Sequence, residues 1–240
     1  GTVNAAGGDG TNSSDGGDGI TNNRGVTISS GGTVTAKGGS GEDGGRGISS
    51  FGGVTISSGG TVTATGGNST GSDGSGGNGI SSTSTTISGG TVTANGGSGN
   101  SSGGNGIRSF DVAISGGTVN ATGGNGKYSN GSDGIRSSDI DLSGSLERTA
   151  KAGSPTGKAL SRAGSELDLN DIKDKLDPGA KVTATDANGE TKQVSIPRPV
   201  EPEKPVIPEE SSSSSDGGSS APSAPVSSIP GLTVTDKDGQ

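Results

Sequence analysis

The sequence predicts an all-β chain wound as a right-handed parallel β-helix, a solenoid with three short strands per coil, over residues 1–145. Three observations carry this. A unit of 27 to 31 residues is seen five times, aliphatic side chains recur at fixed places within it, and glycines separate those places. The first strand is a Gly-Thr-Val element beginning at Gly1, Gly32, Gly60, Gly90 and Gly117. The second is a Gly-Ile element beginning at Gly19, Gly47, Gly79, Gly106 and Gly134. The third is Val26-Thr27-Ile28, Val54-Thr55-Ile56, Thr85-Thr86-Ile87, Val112-Ala113-Ile114 and Ile140-Asp141-Leu142. All three alternate apolar with polar residues and favour β-branched side chains, which is the pattern of strands rather than helices.

If each unit is one coil, equivalent residues stack at about 4.8 Å, the spacing of neighbouring strands. One expected ladder is Val3, Val34, Val62, Val92 and Val119; another is Ile20, Ile48, Ile80, Ile107 and Ile135; a third is Ile28, Ile56, Ile87, Ile114 and Leu142. Ala5, Ala36, Ala64, Ala94 and Ala121 form a fourth. Alternation then turns Thr33 and Thr35 outward, and likewise in each coil. A left-handed β-helix wants hexapeptides, a leucine-rich repeat wants Leu and Asn at set offsets, and collagen wants glycine at every third place; none fits.

Residues 146–196 read as degenerate final coils and a cap, because an open solenoid end exposes unpaired strand edges. Within them, Asn188-Gly189 signals a hairpin between Lys181–Thr185 and Lys192–Ile196, and a short helix is expected around Asp171 to Leu176, ended by Asp177-Pro178-Gly179. Residues 197–230 are a Pro/Ser-rich linker, and residues 231–240 read as the start of a further module.

Only 22% of the 240 residues are hydrophobic and 1% aromatic, with 52 glycines. Such a chain forms a core only if its few apolar residues are regularly placed. The formal charge is −8 with no basic stripe, which argues against nucleic acid. There is no histidine or cysteine, which removes imidazole and thiolate metal sites, disulfides and the catalytic triads built on them. No apolar run reaches the roughly 20 residues that span a bilayer. Because the first glycine falls inside a repeat, the chain reads as a piece of a longer exported protein whose signal peptide lies upstream.

The repeat Ser29-Ser30-Gly31-Gly32-Thr33-Val34-Thr35-Ala36, followed by a glycine-rich loop and Gly47-Ile48, resembles the glycine-rich β-helix surface proteins of clostridia and related gut Firmicutes. Those include a carbohydrate-binding family with a pectate-lyase-like fold. The likeness covers about residues 1–145. It implies an extracellular Gram-positive surface protein that binds acidic plant polysaccharide with calcium and lacks lyase activity.

Candidate chemistry lies on loops and turns. Carboxylates precede each Gly-Ile except the fourth: Asp15 and Asp18, Glu42 and Asp43, Asp73, and Asp133. Oxygen-rich loops suit Ca²⁺, and Gly38 to Asp43 matches the start of a calcium nonapeptide, although its large apolar place holds Gly44. Solvated turn residues are the competing reading. Arg108 and Arg136 both follow Gly-Ile and should project from adjacent coils, with Lys127 on a neighbouring loop. Either Asp111 and Asp139 bridge them or a uronic-acid carboxylate does. Phe51 and Phe110 occupy one place in coils two and four; corner packing is the expectation there, with Tyr128 the better exposed sugar-stacking ring. The outward Thr-Val-Thr ranks resemble the arrays of ice-binding solenoids, and threonine is also the ordinary exposed strand residue.

Three functions follow for comparison: a non-catalytic, adhesive or carbohydrate-binding surface module whose partner is a polysaccharide or surface glycan; a structural stalk; and a polysaccharide lyase. The lyase needs acids for calcium clustered beside a basic residue on one face, and here the acids sit on variable loops. The first is the expectation, with no enzymatic activity.

Overall fold

A computed structural model describes residues 1–199 other than 12, 30, 58 and 129. The linker from residue 200 onward and the module at 231–240 lie outside the described residues. The strands are β1 (Thr2–Ala6), β2 (Ile20–Asn22), β3 (Val26–Ile28), β4 (Thr33–Lys37), β5 (Ile48–Ile56), β6 (Thr61–Thr65), β7 (Ile80–Asn95) and β8 (Ile107–Arg108). They continue with β9 (Asp111–Thr122), β10 (Ile135–Ser137), β11 (Asp139–Lys151), β12 (Leu160–Arg162), β13 (Ser165–Glu166), β14 (Lys181–Thr185) and β15 (Thr191–Ser195). They wind into a parallel β-solenoid of about six turns.

Each expected ladder is a register line. Val3, Val34, Val62, Val92 and Val119 pair in succession, as do Ala5, Ala36, Ala64, Ala94 and Ala121. Ile20, Ile48, Ile80, Ile107 and Ile135 continue to Leu160, and the Ile28 ladder runs through Ile56, Ile87 and Ile114 to Leu142. These aliphatic side chains are almost wholly buried from the second coil onward, so one narrow core runs through the stack. The alternation that predicted the strands is thus the alternation between this core and solvent.

The loop between the first and second strands is a backbone zipper rather than an open flap. Gly39 N–H donates to Gly17 O, Gly45 to Gly39 O, Gly67 to Gly45 O and Gly77 to Gly67 O, at 2.7 to 2.9 Å, and the chain of bonds runs on through Gly97, Gly104 and Gly124. The outgoing and returning arms of each coil therefore bond to one another and to the coil before. A Cβ on Gly67 would stand 1.9 Å from Gly39 O, and one on Gly39 2.1 Å from Gly8 O. Glycine is required here by close approach of two backbones, which is why so apolar-poor a chain can still close its coils.

Side chains stitch the same loop. Asp18 Oδ1 accepts from Arg46 N–H at 2.7 Å, Asn78 Oδ1 from Asn105 N–H at 2.8 Å, Asn105 Oδ1 from Asp133 N–H at 3.0 Å and Asp133 Oδ1 from Lys158 N–H at 2.8 Å. A second line joins Asp15 to Asp43 N–H and Asp43 to Ser75 N–H, at 3.1 and 2.6 Å. A third uses Asp9, Asn68 and Asn125 toward Ser40, Ser98 and Ser154. In every case the side chain of one coil serves a main-chain donor of the next.

Past residue 145 the second half of β11 pairs with β9 on one side and β14 on the other, and β14 is closed by antiparallel β15. The turn at Asp186 to Gly189 has Gly189 at φ +86°, and Asp186 accepts from Asn188 and Glu190 N–H. In place of the helix expected around Asp171 to Leu176 stands a 3₁₀ helix, Leu169–Lys175, capped by Asp168, which accepts from Asn170 N–H at 2.9 Å. Leu169 and Ile172, three apart, are both buried, and three residues per turn puts them on one side.

Candidate functional site

The second strand and the corner after it build the site. Inward Ile48, Ile80, Ile107 and Ile135 fix the strand, so residues 49, 81, 108 and 136 must face away from the core, Ser49 being buried there with Arg46 donating to its hydroxyl at 3.4 Å. These are Ser49, Ser81, Arg108 and Arg136, in register. Below the corner runs a row of buried or half-buried serines. Ser82 Oγ, Thr85 Oγ1 and Ser109 Oγ lie 2.6 to 2.9 Å from one another, and Ser50, Ser82 and Ser137 each bond a carbonyl two or three residues on. These hydroxyls hold the corner without a hydrophobic plug, so the corner's large side chains are free to face water.

Phe51 and Phe110 do face water, at 74% and 67% exposure. Corner packing is therefore corrected: the serine row occupies the place the rings would have filled. Thr83 lies between them in the stack, donating its hydroxyl to Phe51 O and accepting from Phe110 N–H. The rings stand two coils apart, about 10 Å along the axis.

With Arg46, Arg108 and Arg136 the two rings line one groove of about 560 Å³, floored by serines and ending at Ala163 and Gly164. No carboxylate lines it. Arg108 and Arg136 are paired in register and exposed. Asp111 and Asp139 do not bridge them: among the described residues the ion pairs are Arg46 with Asp18 at 3.8 Å, Arg162 with Asp171 at 3.7 Å and Lys175 with Asp141 at 3.0 Å. Asp111 and Asp139 begin the third strand, around the corner from the guanidinium groups.

The other sequence candidates lie apart from this groove. Lys127 lines a separate depression with Asn68, Asn100 and Asn125, and its Nζ sits 4.8 Å from the Tyr128 ring centroid. Tyr128 is 70% exposed, between Phe110 and Phe51. Asp15, Asp18, Asp43 and Asp133 line a polar hollow beside the groove, whose shared wall is Arg46, Arg108 and Arg136. Each of these four acids spends one carboxylate oxygen on a main-chain N–H of the next coil. Glu42 and Asp73 lie elsewhere: Glu42 on the hollow with Thr70 and Ser72, and Asp73 within 3.4 Å of Ser72 Oγ. Among the described residues no three acids gather as a metal-holding group. One further carboxyl, Glu166, is raised above its ordinary range chiefly by burial, while it accepts from Leu160 N–H at 3.1 Å.

The outward threonines form the expected ranks, Thr33, Thr61, Thr91 and Thr118 in one, Thr35, Thr63 and Thr93 in the other. Asn120, Glu147 and Lys181 interrupt them toward the C-terminal end.

The serine row was the missed feature. Its signal is a serine three places after the Gly of Gly-Ile, at Ser50, Ser82, Ser109 and Ser137. Comparison with protein-family models, with curated proteins and with solved structures gives no match.

Proposed function

We propose that this chain is a non-catalytic binding module of an exported, surface-displayed protein, and that it lays an acidic polysaccharide along the groove of Phe51 and Phe110. The observation that carries this reading is the composition of the groove: two exposed rings and three guanidinium groups with no carboxylate in the lining, and of the three only Arg46 is ion-paired among the described residues, with Asp18. An aromatic face stacks on the apolar face of a sugar ring, and a guanidinium fork matches a carboxylate. Two cations on neighbouring strands repel, so an anionic ligand that bridges Arg108 and Arg136 relieves a strain that the fold leaves in place.

The test is binding of polygalacturonate and of a neutral glucan to the full chain, with and without calcium, beside the Phe51→Ala/Phe110→Ala variant. Binding that the double variant loses supports the groove. Retention without calcium assigns the contact to arginine directly, and loss on chelation assigns it to calcium bridging from the acid-lined hollow. No glycan binding at all leaves the solenoid as a structural stalk, and release of unsaturated sugars absorbing in the ultraviolet overturns the non-catalytic reading.

A further inference from the structure

Inside the core, the second half of β11 carries a residue foreign to the ladder it stands in. Valine fills that place at residues 34, 62, 92, 119 and 182, and Arg148 fills it in register between Val119 and Val182. The residue is 1% exposed, and none of Nε, Nη1 and Nη2 meets a hydrogen-bond acceptor. None of the ion pairs among the described residues involves it. Its inward neighbour two places on is Ala150, between Ala121 and Ala184 in register, the smallest side chains of the core.

An isolated charge removed from water is strongly destabilising unless a counter-charge and hydrogen bonds go with it. Burial alone pushes this guanidinium down to about 9, still charged at neutral pH. Its donors form a planar fork that a carboxylate would ordinarily fill, and among the described residues no carboxylate pairs with it. Water inside the coil would satisfy donors but leave the charge uncompensated. A small anion does both.

We propose that Arg148 holds a monovalent inorganic anion of halide size inside the sixth coil, beside the alanine stack. The anion is enclosed as the coil closes, so it binds the folded chain and not the unfolded one. Its binding is then linked to folding, and the logarithm of the unfolding constant must fall with the logarithm of anion concentration.

The experiment is urea unfolding of the full chain as chloride replaces gluconate at fixed ionic strength, for the native protein and for Arg148→Met. The native protein should show a tenfold lower unfolding constant for each tenfold rise in chloride above the dissociation constant, and the methionine variant no such slope. Crystals grown in bromide should show an anomalous peak within hydrogen-bond distance of the guanidinium. Absence of a chloride slope in the native protein, an equal slope in Arg148→Met, or water in place of the bromide peak overturns the proposal.

Discussion

Alanine at Gly67 and alanine at Gly8 are chemically the same change at equivalent places of the stack, with opposite expected results. A Cβ at Gly67 stands 1.9 Å from Gly39 O and 2.5 Å from Gly39 C, whereas one at Gly8 has nothing within 4 Å. Relief at Gly67 means moving from 1.9 Å to at least 3.4 Å, an opening of about 1.5 Å between two backbones. The bonds from Gly67 N–H to Gly45 O, 2.7 Å, and from Gly77 N–H to Gly67 O, 2.9 Å, cannot survive that opening. Two buried main-chain donors left without partners destabilise by about 1–3 kcal/mol each, hence roughly 2–6 kcal/mol in all. For a unit of this size that is a melting temperature lowered by roughly 5 to 20 °C. At Gly8 the loss of unfolded-state freedom should instead stabilise by about 0.4–1 kcal/mol. Thermal unfolding followed by circular dichroism at 218 nm or thereabouts reads both variants. Equal shifts, or a Gly67→Ala protein as stable as the native one, would refute the zipper.

Other expectations concern the core, the groove and one carboxyl. Ile80→Ala, at a wholly buried place, should destabilise by about 2–5 kcal/mol, and Ile20→Ala, half-buried in the first coil, by clearly less in the same urea titration. Phe51→Ala/Phe110→Ala should leave the melting temperature within about 2 °C of native while abolishing glycan retention, because neither ring is packed into the core. Arg108→Ser should weaken polygalacturonate binding and flatten its dependence on salt, measured by calorimetry at two ionic strengths. Glu166 has its folded pKa raised, so the folded state binds more protons than the unfolded one across that window. Stability should therefore fall as pH rises through and above the ordinary carboxylate range, and Glu166→Gln should remove that part of the slope in urea midpoints.

The solenoid was legible because its evidence is redundant: Val34, Val62 and Val92, or Ile48, Ile80 and Ile107, state the same register several times over. The groove was legible only in part. Register placed Arg108 beside Arg136, but whether Asp111 and Asp139 turn toward them depends on how the corner bends, which alternation does not encode. Phe51 and Phe110 were read as packed because aromatic rings usually are; what exposes them is the hydroxyl network of Ser82, Thr85 and Ser109, formed between coils. The acid loops offer oxygens that suit either calcium or solvated turns, and the residue types alone do not choose between them. The sequence holds no direct sign that Asp18 and Asp133 aim those oxygens at the main chain of the following coil.

Those Asp and Asn bonds give the stack a direction. Each carboxylate or amide oxygen serves an N–H of the coil that follows it, as Asp9 does for Ser40 and Asn105 does for Asp133. Trimming the molecule from its C-terminal side strands side-chain oxygens, while trimming from the N-terminal side strands the main-chain N–H groups those oxygens serve, of which those of Asn105 and Asp133 are buried. A nascent chain emerging N-terminus first thus meets each template before the segment that needs it, and winding can keep pace with synthesis. Assembly in the reverse sense would begin every turn with unmet donors.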